Sequence, residues 1–88
     1  ISGLQWRHRA AVEGRVRTVQ VAAMSGAPCL EVELWDDTAG VTLVFYGRRG
    51  IPGITPGAAL AVEGMVGERD GRAAIANPRY RLLGTAAG

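Results

Sequence analysis

Apolar and polar residues alternate with a period of two along most of this chain, and helical periodicity is nearly absent. In the first alternating stretch, residues 9–22, the phase changes after Arg17, so that Val19 and Val21 take the apolar positions. A single inserted residue, a β-bulge, has this effect. The stretch is more than twice the usual strand length, and Gly14, which lacks a Cβ, marks a point where it can bend. We therefore predict a long, bent first strand with a bulge near Arg17.

Further alternating segments follow, separated by clusters of turn-forming residues. The second to fifth strands are predicted at residues 29–35, 41–46, 59–66 and 72–76, and the fifth continues past Asn77-Pro78 into residues 80–83. Glycines and two prolines in residues 47–57 exclude a long helix there. We predict little or no helix between strands three and four, with Ile51 and Ile54 filling the bottom of the fold instead.

Five strands, the first long and bent, predict an all-β barrel, because closure removes the exposed edges of a sheet. An SH3-like barrel is the main alternative architecture. It usually has shorter strands and a large acidic loop early in the chain, and neither feature is found in this sequence.

The length of 88 residues predicts one domain, which we place at residues 9–83 with tails at 1–8 and 84–88. The chain starts at Ile1 without an initiator Met, as a segment cut from something longer would. No stretch approaches the roughly 18 apolar residues of a membrane helix, and nothing resembles a signal peptide. Cys29 is the only cysteine, so no intramolecular disulfide or zinc cluster can form, and a reducing cytoplasm fits best.

All ten basic residues are arginine, against eight acidic residues, which gives a formal net charge of +2. The arginines have two interpretations, which the sequence leaves open. They reflect a GC-rich, bacterial genome, or they bind nucleic acid, since guanidinium groups hydrogen-bond to phosphates and stack on bases. The sequence lacks the residue combinations that catalysis requires: His8 is the only histidine, and Asp36 and Asp37 are neighbours on a turn and point apart. We predict no enzymatic activity, no cofactor and no metal.

Several motifs occur in a characteristic order: VEGRV at 12–16, LWDDTAGVTL at 34–43, FYGR at 45–48, PG at 56–57 and VEGMV at 62–66. This order resembles oligonucleotide/oligosaccharide-binding (OB) domains, in which a first strand with a central Gly leads to a D-x-T-G-x-[IV] hairpin, then P-G and V-x-G-x-V. The closing NPRYRLL at 77–83 looks like the end of the wedge-type OB domain of RecG-type helicases. The resemblance covers residues 9–83. Ala39 interrupts the usual Thr-Gly pair, and the helix that OB domains often carry between strands three and four is missing.

The resemblance implies a five-stranded Greek-key OB-fold barrel that acts as a non-catalytic module for single-stranded DNA, branched DNA or RNA. OB domains bind on the outer face of strands two and three, flanked by two loops. Carried over to this chain, the face comprises Trp35, Thr42, Val44 and Tyr46, and the loops contribute Ser25, Gly26, Arg69 and Arg72. Arg15, Arg48 and Arg49 complete the expected site, in which aromatic rings stack on bases and arginines contact phosphates.

Two features oppose this interpretation. Glu31 and Glu33 point outward on the same face, where they repel phosphates. If strands one and two pair about the turn at residues 25–26, Arg17 lies near Glu33 and Arg15 near Trp35, and a cross-strand Arg–Glu ladder merely stabilises the sheet. Arg15 then either packs on Trp35 or contacts phosphate.

Trp35 itself can be covered by the segment around Trp6 or by a neighbouring loop, in which case its ring contacts no ligand. The alternative function is a protein-interaction OB domain, a subunit or accessory of a larger complex, with a nearly neutral outer face and Val44 and Trp35 as its apolar docking patch. Oligosaccharide binding ranks third, because sugar sites usually contain more Asn, Asp and Trp.

Overall fold

The computed structural model describes residues 1, 3–24 and 26–85, which contain six strands and no helix. The all-β class and the lack of a helix between the third and fourth strands are therefore confirmed. No described segment is a helix long and apolar enough to span a membrane. The strands are β1 (Arg9–Met24), β2 (Ala27–Trp35), β3 (Gly40–Tyr46), β4 (Ala58–Arg69), β5 (Arg72–Ala76) and β6 (Arg79–Thr85).

Five of the strands form a closed ring in the order β1-β2-β3-β5-β4, with β4 pairing back to β1. Every pairing in the ring is antiparallel except that of β3 with β5, which is parallel. The length of β1 makes closure possible, because residues 9–15 pair with β4 and residues 15–24 pair with β2. One long strand thus joins both ends of the ring.

The predicted bulge in β1 is confirmed: the register with β2 shifts between Val16 and Thr18. Gly14 lies just before it, where β1 passes very close to β2. A Cβ at this position would lie 2.5 Å from the carbonyl oxygen of Trp35 and 2.9 Å from its carbonyl carbon. The approach of the two backbones therefore requires glycine at position 14.

The end of the chain differs from the sequence prediction. Residues 80–83 do not extend the fifth strand but belong to β6, which pairs antiparallel with β4. The break occurs at Asn77, which has a positive φ of 46°, and at Pro78, which has no N–H to donate to a ladder. The backbone N–H of Asn77 donates to the Val44 carbonyl at 2.6 Å, and the side-chain Oδ1 of Asn77 accepts from the backbone N–H of Tyr46 at 3.0 Å.

The core fills the inside of the ring with the inward-facing apolar side chains of β1 to β5, together with two residues of the segment between β3 and β4. Those two, Ile51 and Ile54, are 5% and 3% exposed, as their predicted place at the bottom of the fold requires. Cys29 is fully buried. In the segment predicted as an N-terminal tail, Ile1 and Leu4 are half-buried against the core. Of the predicted C-terminal tail, residues 86–88 lie outside the described residues.

Candidate nucleic-acid interface

Three adjoining clefts follow the outer face of β2 and β3 and are bordered by the turn between β4 and β5. Trp35 lines the first cleft, and Tyr46 lines the third. The first and middle clefts share Glu33, Thr42 and Arg72, and the middle and third clefts share Arg69 and Asp70. Together they form one continuous depression, which we call the outer groove.

The two aromatic side chains stand at opposite ends of the outer groove. Trp35 pairs with Gly40 at one end of the β2–β3 ladder, and Tyr46 pairs with Cys29 at the other. Six residue steps separate these positions on β2, a distance of about 20 Å at roughly 3.3 Å per residue. Tyr46 is 47% exposed, whereas Trp35 is half-buried. The groove is therefore long enough for several consecutive nucleotides.

The turn between β4 and β5 holds two arginines beside the groove. Asp70 and Gly71 form a two-residue hairpin loop, and both have positive φ (54° and 80°), as a type I′ turn requires. Arg69 and Arg72 are the paired residues that flank this loop. The Gly71 amide donates to the Glu68 carboxylate, which ties the loop to its own strand. Both arginines thus extend from an ordered turn.

The Trp35 ring is held by contacts from the strands on either side of β2. The guanidinium carbon of Arg17, on β1, lies 4.2 Å from the ring centroid, which is a cation–π contact. On β3, Gly40 packs so closely that a Cβ there would lie 2.4 Å from a ring carbon. Trp6, by contrast, is 55% exposed. An arginine, and not the Trp6 segment, is therefore what stacks on Trp35.

The bulge in β1 determines which arginine this is. Arg15 is the Cα partner of Trp35, as predicted, but its side chain donates to the Gly57 carbonyl at 3.1 Å. Arg17 was predicted near Glu33; because of the bulge, Thr18 is the Cα partner of Glu33, and the Arg17 guanidinium lies on the Trp35 ring. Thr18 Oγ1 donates to Glu33 Oε2 at 3.3 Å. The expected Arg17–Glu33 pair is thus replaced by a hydroxyl–carboxylate contact.

The acidic residues of the groove are also partly engaged. Arg69 forms an ion pair with Glu31 at 2.7 Å between a guanidinium nitrogen and a carboxylate oxygen, with both side chains mostly buried. Four carboxylates border the groove (Glu31, Glu33, Glu68, Asp70), against the guanidinium groups of Arg17, Arg69 and Arg72. The groove therefore has a mixed charge and is not a basic channel.

The remaining predicted site residues fall into different places. Val44 has an outward register position and lines the third cleft, but it is only 2% exposed and presents little surface to a ligand. Arg48 and Arg49 are exposed, and Arg49 lines a separate cleft beside the β1–β2 turn, together with Val21, Pro28 and Gly26. Ser25 lies outside the described residues. The structure therefore groups Trp35, Thr42, Tyr46, Arg69 and Arg72 in one groove and leaves Arg15, Arg48 and Arg49 outside it.

The turn at the Trp35 end of the groove is ordered by Asp36. Its carboxylate accepts from the amino group of Ile1 at 2.7 Å, from the Thr38 hydroxyl at 2.6 Å and amide at 2.7 Å, and from the Ala39 amide at 3.0 Å. These hydrogen bonds hold the pKa of Asp36 well below its usual range, and the one from the Ile1 amino group has the largest influence. The turn is fixed beside Trp35 by a carboxylate that stays ionised.

Residues at the groove that the sequence did not indicate include Arg17, which stacks on Trp35, and Thr18 and Gln20, which line the middle cleft. The change of phase after Arg17 was the available signal, since a bulged residue leaves the pairing that a regular strand would impose. Comparisons of the chain with protein-family models, with curated proteins and with solved structures give no match.

Proposed function

We propose that this protein is a non-catalytic OB-fold module that binds single-stranded or branched DNA, or RNA, with little overall sequence preference. The ring order β1-β2-β3-β5-β4 supports a five-stranded Greek-key barrel, and the outer groove occupies the strand 2–3 face that OB folds use. The observation that carries the proposal is the spacing of Trp35 and Tyr46 at the two ends of one groove bordered by Arg69 and Arg72.

The groove supports binding by two kinds of contact. Stacking of one base on an aromatic side chain is worth roughly 1–3 kcal/mol, and it accepts any base. At the Trp35 end, the ring and the Arg17 guanidinium already form a stacked pair, and guanidinium planes also stack on bases. Since carboxylates border the same groove, its electrostatic field as a whole attracts phosphates only weakly. We expect dissociation constants in the micromolar range.

The first test is the salt dependence of binding. Two or three phosphate contacts to a single strand predict an affinity that falls about tenfold between 50 and 200 mM salt. Fluorescence anisotropy of labelled mixed-sequence DNA and RNA oligonucleotides measures this directly. The absence of binding at high micromolar protein and low salt would refute the proposal for simple single strands.

The Glu31–Arg69 ion pair leads to a second prediction. Since the Glu31 carboxylate competes with phosphate for the Arg69 guanidinium, Glu31→Gln should tighten oligonucleotide binding about two- to fivefold, the equivalent of roughly 0.4–1 kcal/mol for such a pair. Glu13→Gln is the matched control. It removes the same charge from β1 at a position that lines a cleft on another face, between β1, β4 and β6. Equal effects of the two variants would show that only net charge matters.

A protein-interaction module is the second candidate, and the exposed apolar side chains of β6 favour it. Tyr80, Leu82 and Leu83 are 41%, 45% and 42% exposed. The docking patch expected from the sequence, Val44 with Trp35, is small, since Val44 is buried and Trp35 is half-buried. If oligonucleotides fail to bind, self-association that disappears in Leu82→Ser/Leu83→Ser, measured by sedimentation, would favour this candidate.

A further inference from the structure

Glu33 lies beside Trp35 in the outer groove, where the first and middle clefts meet. It lies two residues before Trp35 on β2, so both side chains are on the same face of the sheet. It is paired with Thr42 on β3, and it lines both the first and the middle clefts with Arg72. An aromatic ring, a carboxylate and a guanidinium thus border one nucleotide-sized space.

The hydrogen bonds of Glu33 leave part of its acceptor capacity available. Thr18 Oγ1 donates to Oε2 at 3.3 Å, and Oε1 has no hydrogen-bond partner within the described part of the chain. Two of the arginines around it have other partners, Arg17 on the Trp35 ring and Arg69 with Glu31, and the third, Arg72, lines the same two clefts as Glu33. No ion pair to Glu33 is found among residues 1, 3–24 and 26–85. One oxygen of the Glu33 carboxylate is therefore available to accept a hydrogen bond from a ligand.

We propose that Glu33 is a specificity-determining residue that makes the groove favour cytosine and adenine over thymine and uracil. This inference rests on the proposed function, and it adds a base preference at one position to binding that otherwise tolerates any sequence. The N4 amino group of cytosine and the N6 amino group of adenine are donors, which a carboxylate oxygen accepts. Thymine and uracil offer only the N3–H donor, which is flanked by the O2 and O4 acceptors that repel a carboxylate, so they are poorer partners. Arg72 lies in the same clefts, where it can contact the phosphate of that nucleotide.

The size of the preference follows from the strength of a hydrogen bond to a charged group. Such bonds are stronger than neutral ones, and leaving a partly buried carboxylate without a donor adds its own penalty. We expect octamers of deoxycytidine to bind about tenfold more tightly than octamers of thymidine. Octamers of deoxyadenosine should bind more tightly than those of thymidine as well. Stacking alone does not explain such a result, because every base has a π-face.

The experiment compares these octamers by fluorescence anisotropy with wild-type protein, Glu33→Gln and Glu31→Gln. In Glu33→Gln the preference for deoxycytidine should fall to within about twofold, because an amide offers both a donor and an acceptor. Glu31→Gln, in which the neighbouring acid of the same face is changed, should retain it. Thermal unfolding of both variants shows whether they are folded. Glu33→Asp, which keeps the carboxylate with a shorter reach, should keep part of the preference.

Different outcomes separate this inference from the proposed function. Equal affinity of the wild type for deoxycytidine and thymidine octamers would overturn the role of Glu33 and leave nucleic-acid binding intact. So would a preference that survives unchanged in folded Glu33→Gln. Failure of every octamer to bind at low salt would instead refute the proposed function itself.

Discussion

Trp35→Ala is expected to weaken oligonucleotide binding about tenfold or more, which is the largest effect of any single substitution in the groove. Stacking of one base on an aromatic side chain contributes roughly 1–3 kcal/mol. The alanine also removes the surface on which the Arg17 guanidinium is stacked at 4.2 Å, so the arginine loses its fixed position as well. Anisotropy titrations with mixed-sequence single strands at low salt measure the loss.

Two further variants make the result specific to the groove. Trp35→Phe keeps an aromatic ring at the site and should retain most of the affinity. Trp6→Ala removes the other tryptophan, which is 55% exposed and lines none of the three clefts, and should bind like the wild type. If Trp35→Ala and Trp6→Ala bind equally well, the bases stack elsewhere and the position of the site is wrong.

Gly14→Ala is expected to cause a large loss of stability. The new Cβ would lie 2.5 Å from the Trp35 carbonyl oxygen and 3.1 Å from a side-chain carbon of Leu34. Because the nearest atoms belong to the backbone, the strands themselves must move apart at the point where β1 begins to pair with β2. Such overpacking costs roughly 1–3 kcal/mol. For a domain of this size, the melting temperature should fall by about 10 °C.

Gly50→Ala is the control for this substitution. A Cβ at position 50 would have no atom within 4 Å, and Gly50 is not among the glycines with positive φ. Its melting temperature should stay within a few degrees of the wild type. Circular dichroism or calorimetry follows both transitions. Equal melting temperatures of the two variants would show that the close approach of β1 to β2 is not required.

The period-two alternation allowed the strands to be placed from the sequence, because it depends on neighbouring residues of one segment. The bulge near Arg17 was visible in the same way, as a change of phase. The turns between the predicted strands, including the glycine-rich segment 47–57, followed from turn chemistry. The outward face of the second and third strands, with Trp35, Thr42 and Tyr46, followed from register parity once those strands were assigned.

The extent of the site was harder to predict because it depends on contacts between distant segments. Val44 has the parity of an exposed residue, yet it is buried. The Glu31–Arg69 pair joins residues 38 positions apart, and no local pattern indicates it. Arg48 and Arg49 follow Tyr46 in the chain, but adjacency in sequence did not place Arg49 in the same cleft.

The sequence by itself determined the strand segments, the bulge and the turns, because these depend on the spacing of side chains within a few residues. Only the tertiary structure decided that residues 79–85 pair with β4 and that Arg17, in place of Arg15, stacks on Trp35. Both outcomes depend on which strands become neighbours and in what register. A shift of one residue, such as the bulge introduces, changes the partner of every side chain beyond it.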